Sequence, residues 1–178
     1  MTLSKTTSDW LSKHDLEGFI RVVEAPPHEE PEKVATMIDL DKLSEGTMQA
    51  RIGLPFEGLC SIENPSTKIL TNYFGELSIA SKAYQTHGNE NLLFREVAWV
   101  LLEYVFVHPQ PLSVLKNRVS FIIATFEGLK MDWSVIMANS LRVGMASVMD
   151  GKKAWSGLAQ WPMILLPPTH IIKQKKRG

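Results

Sequence analysis

Apolar and polar positions follow two different rhythms along the chain, and the change comes near residue 88. Beyond it, apolar residues recur at intervals of three and four, the period of a helix with a buried face. The spacing predicts a helix from about Glu90 to Val107, with Asn89 as its N-cap. Leu93, Val97, Leu101 and Tyr104 form one stripe; Leu92, Trp99, Leu102, Val105 and Phe106 form a second. From Leu92 onward its only charges are Arg95, Glu96 and Glu103, so most of its circumference must be buried. Pro109 and Pro111 stop it, because a proline within a helix removes a backbone hydrogen bond and clashes with the preceding turn, at about 3 kcal/mol. "HPQP" (108–111) therefore reads as an elbow that folds one core helix back on the next.

The next helix, over about 112–127, opens at Pro111 or Leu112, with Ser113 as a further capping candidate. It is expected to bury Val114, Leu115, Val119, Ile122, Ile123 and Phe126 and to turn Lys116, Asn117 and Arg118 outward. Gly128 supplies a left-handed stop. Asp132 then caps a third helix that reaches about Met149, with Met131 and Ile136 at the positions of a hydrophobic staple. A last apolar piece, "LAQWPMILL" (158–166), precedes Pro167 and Pro168.

Residues 1–87 have a mixed texture. "GFIRVVEA" (18–25) reads as a short strand, followed by the acidic, proline-rich loop "PPHEEPE". "KVATMIDLDKL" (33–43) suits a short helix, and "TMQARIGLPFEGLCSI" (47–62) a strand, a turn and then a second strand or irregular packing. Within 64–84, Ile69, Leu70, Tyr73, Phe74 and Leu77 have helical spacing, although Gly75 in the middle costs about 1 kcal/mol relative to alanine. The expected fold class is mainly α: a helical bundle in the C-terminal half with a small mixed, strand-containing N-terminal segment. Residues 1–30 are expected as a flexible extension, 31–168 as one mostly helical domain and 169–178 as a basic tail.

Composition supports a folded core, with 44% hydrophobic and 21% charged residues among 178. The net charge is zero but unevenly placed. Residues 1–150 carry all nineteen acids and thirteen Lys/Arg, a net of −6; residues 151–178 carry Lys152, Lys153, Lys173, Lys175, Lys176 and Arg177 with no acid, a net of +6. Such segregation points to an appendage that meets something anionic: nucleic acid, an import receptor, or the acidic body itself. Cys60 is the only cysteine, which excludes an intrachain disulfide and cysteine-type zinc clusters and suits a reducing compartment. The N-terminus lacks the apolar core of a signal peptide and no stretch is apolar enough to span a membrane, so an intracellular protein, nuclear or cytoplasmic, is expected.

Catalytic signatures are missing at the level of motifs. His14, His28, His87, His108 and His170 have no partner four residues away, and the His87/Glu90 pair is better read as a helix-start loop. No G-x-S-x-G elbow, P-loop or dinucleotide fingerprint occurs. Cys60, in an apolar stretch, reads as a buried inert thiol. "DLDKLSEG" (39–46) lacks the alternating oxygen ligands of a calcium loop and reads as helix capping. Trp99 and Trp133 belong to core patterns, whereas Trp155 and Trp161, near Lys152 and Lys153, are candidates for base-stacking platforms. No metal and no cofactor is expected.

"REVAWVLLEYVFVHPQPLS", "LKNRVSFIIATFEGLKMDWSVIMANSL" and "GLAQWPMILL" together resemble the plant transposon protein domain, a helical domain of plant retroelement-derived reading frames. The likeness covers roughly residues 95–166 and is carried by the elbow (Pro109, Pro111, Leu112, Ser113), "EGLKMDW" (127–133) and "MILL" (163–166). It implies a helix, a proline elbow and further helices, and no catalytic residues. The expected function is that of a non-enzymatic protein, derived from a plant mobile element, which acts by protein interaction or sequence-independent nucleic-acid association. Lys152, Lys153, Lys173, Lys175, Lys176 and Arg177 would contact nucleic acid or an import receptor. The alternatives are a capsid-like or nucleocapsid-like self-assembling subunit and, behind it, an enzyme whose triad is assembled from distant residues.

Overall fold

The computed structural model describes residues 2–63, 66–74, 92–106, 112–151 and 160–166. It is mainly helical, and no strand occurs among the described residues.

The chain opens with α1 (Lys5–Lys13), capped by Ser4, whose hydroxyl accepts from the Thr7 N–H at 3.3 Å. α1 ends in a Schellman motif: Leu16 N–H donates to Leu11 O at 2.8 Å and Asp15 N–H to Ser12 O at 3.2 Å. Asp15 takes the left-handed position at φ 59°, where glycine is usual. Leu11 and Leu16, which this turn brings together, are both fully buried. α2 (Glu17–Glu24) follows at once.

α2 corrects the strand expected over 18–25. Phe19, Val22 and Val23 stand at i, i+3 and i+4, and all three are buried, so the helical period accounts for the apolar residues better than alternation does. α3 (Pro31–Ala35), a 3₁₀ turn (Leu40–Lys42) and α4 (Glu45–Ile52) come next. Ser44 and Thr47 form a reciprocal capping box at the start of α4, and Gly53 closes it with φ 66°. Of the strand, turn and second strand or irregular packing expected over 47–62, the first strand is replaced by α4, while the residues after it pack irregularly, the second of the two alternatives. Their single β-bridge pairs Leu59 with Met131 in parallel. The acids of "DLDKLSEG" cap and solvate, as read: the Asp39 carboxylate accepts from the Asp41 N–H at 3.1 Å.

Among the expected helices, α5 (Thr67–Phe74) lies inside the 64–84 stretch, and α6 (Leu92–Val100) runs directly into a π-helical turn over Leu101–Val105. The turn is marked by a Phe106 N–H donating five residues back to Leu101 O at 2.7 Å. α7 (Leu112–Phe126), α8 (Trp133–Met149) and α9 (Trp161–Leu165) complete the order. α6 packs against α7, so the two helices fold back on each other as expected, although the elbow at 108–111 lies outside the described residues. Gly128 ends α7 at φ 87° with the expected Schellman bonds to Thr125 and Ala124.

The N-terminal helices are not peripheral to this packing. α1 lies against α2 and α6, α2 against α4 and the π turn, and α4 against α8 and α9. Residues 5–24, placed by sequence within an N-terminal extension, supply Trp10, Leu11, Leu16, Phe19, Val22 and Val23 to the core. Glu96 joins α6 to α1 by accepting from Thr7 Oγ1 at 3.3 Å and Ser4 Oγ at 3.4 Å. Aromatic rings bind the ends together. Phe126 stacks on Trp10 at 4.5 Å and meets Phe94 edge-on at 5.3 Å, while Tyr73 lies 4.6 Å from Phe94. Tyr73 also donates to Glu127 Oε1 at 2.6 Å; burial, then that carboxylate, raise its phenol well above the ordinary range.

One contact explains how closely α2 approaches α4. A Cβ built at Gly18 would collide with the Ile52 carbonyl oxygen, which is backbone and cannot swing aside. Gly18→Ala is therefore expected to destabilise by about 1–3 kcal/mol, the usual range for overpacking a filled core. Gly46→Ala, within α4 and with only the Ser44 hydroxyl at 3.7 Å, should be neutral or gain about 0.5–1 kcal/mol. Urea unfolding of both variants checks the pair: equal midpoints would refute the close approach.

Candidate functional site

The segment after α4 is tied to the start of α8 by a set of backbone bonds. Leu59 N–H donates to Lys130 O at 3.0 Å, Asp132 N–H to Leu59 O at 2.9 Å and Ser134 N–H to Pro55 O at 3.0 Å. Gly58 lies so close that an added Cβ would come within 2.6 Å of Lys130 O and 2.8 Å of Asp132 N. Ser134 Oγ donates to Leu54 O at 2.9 Å, and Asp132 takes the N–H of Glu57 at 3.1 Å while capping α8 through Val135 N–H at 3.0 Å. Glu45 sits in the field of this carboxylate: burial first, then Asp132 and Glu57, raise its own carboxyl above the usual value.

This strap carries Cys60 and Ser61 to the mouth of a cleft of about 440 Å³ between α7 and α8. α7 contributes Asn117, Arg118 and Phe121, and α8 contributes Ile136, Asn139, Ser140 and Val143. Arg118 was expected to face out. Instead it is mostly buried, its Nη1 donates to Ser140 Oγ, and its guanidinium carbon stands 4.8 Å from the centre of the Phe106 ring. Burial holds its pKa down to about 10. Next to it, Asn139 Oδ1 accepts from Arg142, which also donates to Leu43 O at 3.1 Å.

Cys60 was expected to be buried and is exposed. Its sulfur is 4.0 Å from Gly58 O, and among the described residues the lining of the cleft includes neither a histidine nor a carboxylate. The arrangement thus offers donors and apolar wall rather than an acid–base pair.

Two further hollows are lined by described residues. One, of about 260 Å³, runs between His14 and the 128–133 segment; the other, of about 440 Å³, lies between 25–30 and α9. Among the described residues, no group of three or more His, Cys, Asp or Glu is placed to hold a metal ion, and no helix is long and apolar enough to cross a membrane.

Of the cationic residues singled out by sequence, Lys152, Lys153, Lys173, Lys175, Lys176 and Arg177 all lie outside the described residues. So does Trp155. Trp161, the second candidate stacking platform, belongs to the core: it is fully buried and its indole N–H donates to Val105 O at 3.2 Å. Trp133 is buried as expected, between Phe19 at 5.6 Å and Phe106 at 5.9 Å. Arg118 is the residue that sequence reasoning missed. The signal was present, since Phe121 and Ile122, three and four residues on, are both core residues, and an arginine stem can share their face while its head reaches a cleft.

No protein-family model, no curated protein and no solved structure matches the chain.

His14 gives the pH dependence its sign. It packs 4.5 Å from Trp10, and burial, followed by the charge of Lys13, lowers its pKa below 6.5 against a smaller opposing effect of Asp15. The unfolded chain then takes up this proton more readily than the folded one, so stability is present above 6.5 and is lost as pH falls through the lowered folded value. Thermal melting across the mildly acid range should show a shallower loss for His14→Phe than for the wild type. An identical acid limb would remove His14 as its cause.

Proposed function

We propose that the chain is a non-enzymatic, helical protein derived from a plant mobile element, which associates with nucleic acid without reading its sequence. The observation that carries this reading is the charge segregation. A body with a net of −6 is followed by an acid-free segment with a net of +6, and four of those six cations fall within residues 173–177. Cations in such density release condensed counterions from a phosphate backbone, which gives attraction that is strong at low salt and blind to base identity. The likeness of residues 95–166 to the plant transposon protein domain supports the origin, and α6, α7 and α8 with their Gly128 and Asp132 boundaries are compatible with it. The acidic body favours a polyanion less than the tail does. It would confine contact to Lys173, Lys175, Lys176 and Arg177, with Lys152 and Lys153 in support.

The test is an electrophoretic shift assay on RNA and duplex DNA at several salt concentrations, with full chain and with residues 173–178 removed. Loss of four phosphate contacts should flatten the slope of log K against log salt by about 3 to 4, at about 0.9 per contact on duplex DNA. The truncated protein should bind unrelated sequences equally weakly. Unchanged binding on truncation refutes the reading. Unchanged binding with lost nuclear accumulation assigns the tail to an import receptor instead, and concentration-dependent large particles in light scattering assign the chain to self-assembly.

A further inference from the structure

Arg118 is a mostly buried cation that no described carboxylate neutralises. No carboxylate among the described residues pairs with it; the ion pairs there join Lys33 to Glu30 and Lys42 to Asp39 on the surface. Its described partners are a hydroxyl and an aromatic face. A mostly buried guanidinium held by neutral groups is destabilising to leave empty-handed, and burial lowers its pKa accordingly.

Two of the groups around it have donors to spare. Ser140 Oγ accepts from Arg118, so its own hydroxyl proton remains to be donated. Asn139 Oδ1 accepts from Arg142, so its amide NH₂ remains to be donated as well. Guanidinium, hydroxyl and amide thus stand as donors at a cleft whose described lining includes no acid; Phe121, Ile136 and Val143 form its apolar wall, and Asn117, Cys60 and Ser61 complete it. We propose that the cleft between α7 and α8 binds a small organic carboxylate with an apolar body: the carboxylate on Arg118 and Asn139, the body along Phe121 and Ile136. One guanidinium matches one negative charge in a planar fork, and the carboxylate group fits it two oxygens at a time. A dianionic phosphate would call for more cations than the one that the described lining supplies. This site belongs to the helical body and stands or falls independently of the basic tail.

Isothermal titration calorimetry on the full chain tests it, with hexanoate and benzoate as probes and hexanamide, benzamide and inorganic phosphate as comparisons. Both carboxylates should bind at least about tenfold more tightly than their neutral amides, the usual advantage of a charge-assisted pair. Arg118→Met should remove that advantage, while the free protein melts no lower than the wild type. If that variant does not fold, Val143→Glu serves in its place: Val143 is 67% exposed, so the core is untouched, and the added negative charge at the cleft wall should weaken the carboxylates alone. Cys60 gives a separate readout, because it is the sole cysteine and lines the mouth; saturating hexanoate should slow its alkylation by neutral iodoacetamide. Amides binding as well as acids, phosphate binding as well as hexanoate, no binding of either carboxylate, or carboxylate affinity unaltered in the folded variants would each overturn the proposal.

Discussion

Asp132 divides its carboxylate between two tasks, and the join between the strap and α8 is built around that division. One oxygen accepts from Val135 N–H and fixes the first turn of α8; the other accepts from Glu57 N–H and holds the chain leaving α4. The side chain is 4% exposed, so neither bond competes freely with water. The strap from Leu54 to Leu59 is thereby fastened across the head of α8, and α4, at the other end of the strap, packs along α8. α2 then rests on α4 through Gly18, and α1 rests on α2. Asp132 is thus a joint between two halves that look unlike each other in sequence.

The helices from 92 onward were legible because their signals were redundant. Asp132 before an apolar run, Gly128 after one, and stripes of Val and Leu at three and four residues all reported the same boundaries. In the N-terminal half the signals conflicted. "GFIRVVEA" is rich in β-branched and aromatic residues, and eight positions are too few to separate alternation from helical period; burial of Phe19, Val22 and Val23 decided it. The stop between α1 and α2 was hidden because Asp15, not glycine, takes the left-handed position. The hydrogen bonds of the strap join residues some seventy-five positions apart, a pairing that no local pattern contains.

The cleft was less legible still. Its cation sat in "LKNR", which reads as a solvated face, and its cysteine sat among apolar neighbours, which reads as core; tertiary placement reversed both. Arg118 also shows why such a residue is informative. A buried charge without a counter-charge opposes folding, so a well-packed apolar residue of similar length would serve the free protein at least as well. With a carboxylate bound as proposed, recognition and folding would favour different side chains at this position.

The π turn over Leu101–Val105 spreads one more residue over a helical turn than the α-helix uses. Each residue advances an α-helix by about 100°, so the widened turn acts as an angular offset for everything after it. It delivers the Phe106 ring beneath the Arg118 guanidinium and leaves the Val105 carbonyl turned toward the Trp161 indole. Shortening the chain there by a single residue would restore an ordinary helix and rotate both groups away, detaching α9 from its anchor and taking the aromatic face from Arg118 in one stroke.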